Sequence, residues 1–209
     1  MGQDNRFSRR DILIGGAAAT VSPMLLANVG EPSLAQIDPN PWHGLKIGVA
    51  TYSLRTMNLE TCIKAVNKTG LKYVSIKDSH MPMNSTTDER KAVVQKFKDA
   101  GTTPLSCGNV TMDNNEENIR KVFEYAKDAS LPTIVCSPHP DSFAILDKMV
   151  KQYDIRLAIH NHGPGDNRFP SPYDAYAVAK KYDERIGLCI DIGHTYRAGV
   201  DPAEAVLKC

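Results

Sequence analysis

The sequence predicts an α/β chain of the (β/α)8-barrel class, and three observations carry that prediction. Short apolar runs alternate with amphipathic stretches of helical length, which implies a parallel sheet covered by helices. Within the runs, bulky apolar residues alternate with small or polar ones, giving each strand one face for helix packing and one for a lumen. Five of the six histidines fall where strands should end, and ligands of such barrels gather there.

Residues 1–35 stand outside this alternation. Arg9 and Arg10 precede an Ala/Gly-rich apolar run broken by Pro23, and "SLAQ" offers small residues for cleavage after Ala35. This resembles a twin-arginine (Tat) export signal and not a stable membrane anchor. The expectation is a periplasmic or otherwise exported protein that meets the Tat machinery with its cofactor already bound. Residues 36–44, "QIDPNPWHG", read as a linker, and the barrel begins at residue 45.

From there the strands are expected at 45–54, 72–79, 103–110, 132–138, 155–162 and 187–194. Helices are expected at 58–69, 87–100, 114–129, 141–153 and 171–184, with a last one from Asp201. Gly70 and Gly101 mark helix stops, and "SPYDA" and Asp201-Pro202 mark starts. In the fifth strand Leu157 and Ile159 take the packing face, leaving Ala158, His160 and His162 inward. In the sixth, Leu188, Ile190 and Ile192 alternate with Cys189 and Asp191. In the second, Val74 and Ile76 alternate with Ser75 and Lys77. Six βα units fit before Cys209, so a full barrel would need two more and the barrel is expected to be incomplete at its C-terminus. The first and sixth strand edges would then lie open, which allows homo-oligomers and invites aggregation.

With 25 Lys+Arg against 24 Asp+Glu and no basic stripe interleaved with aromatics, nucleic acid is not an expected partner. Neither G-x-G-x-x-G after the first strand nor G-x-x-x-x-G-K-[ST] occurs, which removes the main support for dinucleotide or P-loop binding. The five cysteines, widely spaced and without a C-x-x-C pair, read as small buried hydrophobes. A small-molecule ligand is expected.

The strand ends collect Tyr52, Ser53, Lys77, Asp78, His80, Asn109, His139, His160, His162, Asp191 and His194. Imidazoles and carboxylates on converging strands make a divalent-metal environment. In "GLCIDIGHTYRAG", Asp191 ends an apolar strand on the inward phase and His194 follows at the mouth; the competing reading makes Asp191 a helix cap. Lys77 could stabilise an enediolate or sit at the rim. His80 and His139 read as residues of polar loops.

"LAIHNHGP" followed by "IGLCIDIGHTYRAGVDP" resembles the sugar phosphate isomerase/epimerase family, the xylose isomerase-like TIM barrels that include AP endonuclease family 2. The resemblance implies one divalent ion (Mn, Co, Zn or Mg) held by a Glu, an Asp, a His and a Glu ending strands five to eight, with two glutamates for proton transfer. Asp191 matches the strand-six ligand, and His194 matches the histidine that contacts substrate oxygens. His160 stands where that family has Glu, so it is a metal ligand here without the negative charge of a carboxylate base. His162 matches the second histidine, a catalytic or substrate-contacting group. The implied function is a metal-dependent sugar or sugar phosphate isomerase or epimerase that abstracts the proton α to a carbonyl. A keto-glycoside lyase or hydro-lyase on the same barrel, or a non-catalytic sugar-binding barrel, stands as the alternative.

Overall fold

Six parallel strands pair strictly in chain order, each joined to the next by a helical crossover. This is the sheet of a (β/α)8 barrel, in which sequential parallel strands curl around a lumen and helices cover the outside. The computed structural model of the protein describes residues 42–209. The proposed leader at 1–35, with Arg9 and Arg10, therefore lies outside the described residues. Among those described, no helix is long and apolar enough to cross a membrane.

The strands are β1 (Gly48–Ala50), β2 (Tyr73–Ile76), β3 (Thr103–Met112), β4 (Thr133–Pro138), β5 (Arg156–His160) and β6 (Ile186–Cys189). The helices are α1 (Leu59–Lys68), α2 (Thr87–Asp99), α3 (Glu116–Asp128), α4 (Phe143–Tyr153), α5 (Pro172–Ala179), α6 (Ile192–Arg197) and α7 (Pro202–Lys208). Most helix starts are set by local chemistry. Asn58 and Asn115 cap α1 and α3, and Thr86 with Glu89 and Ser171 with Asp174 form reciprocal capping boxes on α2 and α5.

The expected two-faced strands are present. Val74, Ile76, Ile134, Leu157 and Ile159 are buried in one core with helix residues Val66, Phe97, Ile119, Phe123 and Leu146. Because parallel partners share a face, the register Ala158↔Gly187 and His160↔Cys189 puts His160 on the face opposite Ile159, towards the lumen.

Several elements are shorter than the sequence expectation: β2 ends at Ile76 and β5 at His160, so Lys77 and His162 lie just past their strands, and α5 ends at Ala179. Two more elements change in kind. The first strand is three residues long and turns at Thr51–Leu54 into a 3-10 helix, so Tyr52 and Ser53 leave the strand. Tyr52 is exposed, with the Arg55 guanidinium 4.4 Å from its ring centroid. The sixth strand stops at Cys189 instead of running to His194, and a helix begins at Ile192. The cause is Asp191, whose Oδ1 accepts the His194 N–H at 2.8 Å and so caps α6. Ile192, expected on the packing face, is 64% exposed as a result.

Candidate active site at the strand ends

The end of β5 and the turn into α6 bring three imidazoles together. His160 and His162 stack at 4.5 Å between centroids with 7° between planes. His194 stands edge-on to both, at 5.9 and 5.6 Å. Gly163, with φ +88°, permits this: a Cβ there would meet His194 Nδ1 at 2.9 Å. The five cysteines are free thiols: Cys62, Cys107 and Cys136 are buried as expected, and Cys189 and Cys209 are partly exposed. Burial pushes the Cys107 thiol up to about 12, so it stays protonated and is no nucleophile.

The hydrogen bonds assign the proton on each ring. His160 Nδ1 lies 2.7 Å from the Asn161 carbonyl, which can only accept, so Nδ1 carries the hydrogen and Nε2 keeps a bare lone pair. Burial holds the His160 pKa below its ordinary value, which keeps the ring neutral. That bare Nε2 faces Asp191 Oδ2 at 3.8 Å. Asp191 is both the helix cap of the competing reading and a candidate ligand: Oδ1 is committed to the His194 amide and Oδ2 is not.

Two lone-pair atoms converging at that distance suit a cation. With metal–ligand bonds of about 2.1 Å, one ion reaches both. The donor chemistry therefore fits a divalent metal at His160 and Asp191. Among the described residues, no third His, Cys, Asp or Glu joins them in a metal-binding group.

His162 is held differently. Asn109 Nδ2 donates to its Nε2 at 3.0 Å, and Nδ1 faces Asp166 Oδ2 at 3.4 Å. The ring thus carries its proton on Nδ1, towards a carboxylate. Asp166 also accepts from the backbone N–H of Arg168 and Phe169, which fixes the loop that carries it. Arg168 ties that loop to the sheet by donating from Nη1 to the carbonyls of Ser137 and Met112. On His194, Arg197 Nη2 donates to Nδ1 at 2.8 Å, leaving Nε2 as the N–H side.

Lys77 sits apart from the imidazoles but is linked to them. Its Nζ donates to the Asn109 carbonyl at 3.0 Å and pairs with Asp78 Oδ1 at 3.2 Å. Asn109 thereby connects Lys77 to His162, through its backbone on one side and its carboxamide on the other. The Asn109 Oδ1 is buried without a partner among the described residues, an arrangement that costs about 1–3 kcal/mol when nothing donates to it. Gly108 lets this segment approach β4, since a Cβ there would fall 2.1 Å from the Val135 carbonyl.

The structure thus gathers His160, His162, His194 and Asp191 and joins Lys77 to them through Asn109. His80, expected in a polar loop, is instead buried, with Nε2 on the Met57 carbonyl and Nδ1 beside Ser79 Oγ. His139 caps a short turn by accepting the Asp141 N–H. Asn161, Asp166, Arg168 and Arg197 were not singled out in the sequence. Asn161 is fully buried and accepts the Asp191 N–H at 2.8 Å, which places the β6 end. Arg197 would have been found as the i+3 partner of His194 had the helix been recognised.

No protein-family model matches the chain, and no curated protein does. Solved structures do. An uncharacterized protein from Parabacteroides distasonis is 23% identical, with a TM-score of 0.65 over 78% of this chain and 70% of that one. The 3-keto-D-glucoside 4-epimerase YcjR from E. coli is 12% identical, with a TM-score of 0.63 over 78% and 74%. The IolI protein, solved with a bound zinc atom, is 17% identical, with a TM-score of 0.62 over 79% and 69%. These likenesses establish the fold, a (β/α) barrel of the xylose isomerase-like kind.

Proposed function

We propose that the chain is a metal-dependent sugar isomerase or epimerase that abstracts the proton α to a carbonyl. The observation that carries this reading is the pair of uncommitted donor atoms, His160 Nε2 and Asp191 Oδ2, converging beside two further imidazoles at the strand ends. A divalent ion (Mn, Co, Zn or Mg) held by that pair would polarise a substrate carbonyl and its neighbouring hydroxyl.

His162 is the proton acceptor. Asp166 holds the Nδ1–H tautomer, leaves Nε2 as the basic nitrogen and stabilises the imidazolium once it forms. In this structure the Nε2 lone pair is held by the Asn109 Nδ2–H, so the substrate displaces that carboxamide for its α proton to reach Nε2. His194 donates its Nε2–H to a substrate oxygen, because Arg197 occupies Nδ1. Lys77, with two N–H groups committed, keeps one for a substrate hydroxyl. Return of the proton from His162 to the adjacent carbon on the same face, with His194 Nε2 giving its proton to the former carbonyl oxygen and taking the one from the neighbouring hydroxyl, completes an isomerisation.

His160 in place of a carboxylate base leaves His162 as the one candidate proton acceptor, which supports a second reading, a β-elimination on a keto-glycoside, which needs one base only. Incubation with Mn, Co or Zn in deuterated water, against ketoses and keto-glycosides, separates the two. Deuterium at the carbon α to the carbonyl in recovered sugar and isomer is expected; an unsaturated product points to elimination. Sugar binding with neither outcome would leave a non-catalytic barrel.

Export by the twin-arginine route is proposed on Arg9 and Arg10. Replacing both with Lys should keep the protein in the cytoplasm with its leader uncleaved, and normal processing of that variant would refute it.

A further inference from the structure

Beside the imidazole cluster, a cavity of about 310 Å³ opens between the ends of β2 and β3. It lies at the lower end of the roughly 300–1,000 Å³ usual for small-ligand pockets. Met83, Val110 and Tyr125 give it an apolar wall, and Lys77, Asp78 and Asn109 give it a polar end. Asn109 is the residue that this cavity shares with His162.

The polar end is neutral overall. Lys77 Nζ is paired with Asp78 at 3.2 Å and donates to the Asn109 carbonyl, so an entering anion meets an ion pair and not a free ammonium. The other cations of the strand ends are also committed, Arg168 to two carbonyls and Arg197 to His194. The helix N-terminus nearest the imidazoles, that of α6, is capped by a carboxylate. What the cavity offers is a donor beside an acceptor: one Lys77 N–H and the second Asp78 oxygen. A hydroxyl satisfies both because it donates and accepts; a phosphate or carboxylate oxygen only accepts.

We propose that this cavity is a subsite for an uncharged, hydroxyl-bearing part of the substrate, joined to the imidazole cluster through Asn109, and that Asp78 selects against phosphate and carboxylate. The proposal rests on the sugar-handling reading above and adds that the sugar arrives without a phosphate at this end.

Calorimetric titration of the full chain with D-fructose and D-ribulose, each paired with its terminal phosphate ester, tests it. The free sugar should bind at least about 10-fold more tightly than its ester. Asp78→Asn, on a largely exposed side chain, should bring the two within about 3-fold of each other. Equal or tighter binding of the ester by the unaltered protein, an unchanged ratio in Asp78→Asn, or no saturable binding of either free sugar overturns the proposal. Deuterium exchange without the preference removes the subsite and leaves the reaction; the preference without exchange does the reverse.

Discussion

His80 and His160 follow the second and fifth strands of the same sheet, yet one is a structural residue and the other a candidate ligand. Both nitrogens of His80 face partners, the Met57 carbonyl and Ser79 Oγ, and the residue is only 5% exposed. His160 has one nitrogen on the Asn161 carbonyl and the other bare, opposite a carboxylate oxygen that is equally uncommitted. Position at a strand end is therefore not what separates them. An unspent lone pair with a converging neighbour is.

The largest effect should come from removing either side of that pair. His160→Ala and Asp191→Ala should each lower affinity for Mn, Co or Zn by more than about 100-fold, because each removes a direct bond to the ion. Asp191→Ala should also cost about 1 kcal/mol of stability through loss of the α6 cap. If His160→Ala binds metal like the parent and only melts earlier, the contrast with His80 collapses. His160→Glu should retain binding and move preference towards Mn and Mg, as a carboxylate replaces imidazole.

Next in size is His162→Ala, expected to weaken metal binding by roughly 10- to 100-fold through loss of the ring stacked on His160. The reverse pattern should hold at the other end of the comparison. His80→Ala should leave metal titrations unchanged and cost about 1–3 kcal/mol in denaturant unfolding, since it removes a buried ring with its hydrogen bonds to the Met57 carbonyl and Ser79 Oγ. Gly163→Ala should cost about 1 kcal/mol or more and displace His194, visible as a shifted ring signal in its spectrum.

The smallest effect is on pH. The folded protein keeps His160 neutral, with its pKa depressed by burial, so the unfolded chain binds that proton more readily. This contribution favours folding least at low pH: stability should fall as pH drops below the ordinary value of 6.5 and level off below the folded pKa. His160→Gln should flatten that slope, and an unchanged slope would assign it to another group.

Much of this was legible in the sequence for a definite reason. Alternation with period two reports which side of a strand is buried, so Val74, Ile76, Leu157 and Ile159 fell on the packing face as expected, and His160 on the other. The same rule failed one turn later. Ile190 and Ile192 continue the apolar alternation, but Asp191 is also a strong helix-start signal, and the cap prevailed over the strand pattern. The links among the site residues were not legible because they are long-range: Asn109 meets His162 across 53 positions, and Arg168 reaches Met112 across 56. No local periodicity encodes such pairs. His80 was misjudged because a histidine in a polar stretch can still be enclosed by segments distant in the chain.

The double commitment of Asp191 turns a backbone proton into an instrument. Its Oδ1 accepts the His194 N–H while its Oδ2 looks towards His160. A cation drawing electron density through Oδ2 would weaken the hydrogen bond at Oδ1, and the amide resonance of His194 would move upfield as the bond lengthens. One labelled cross-peak, followed through a titration, would then report ion arrival at a position where no chromophore or added probe is needed.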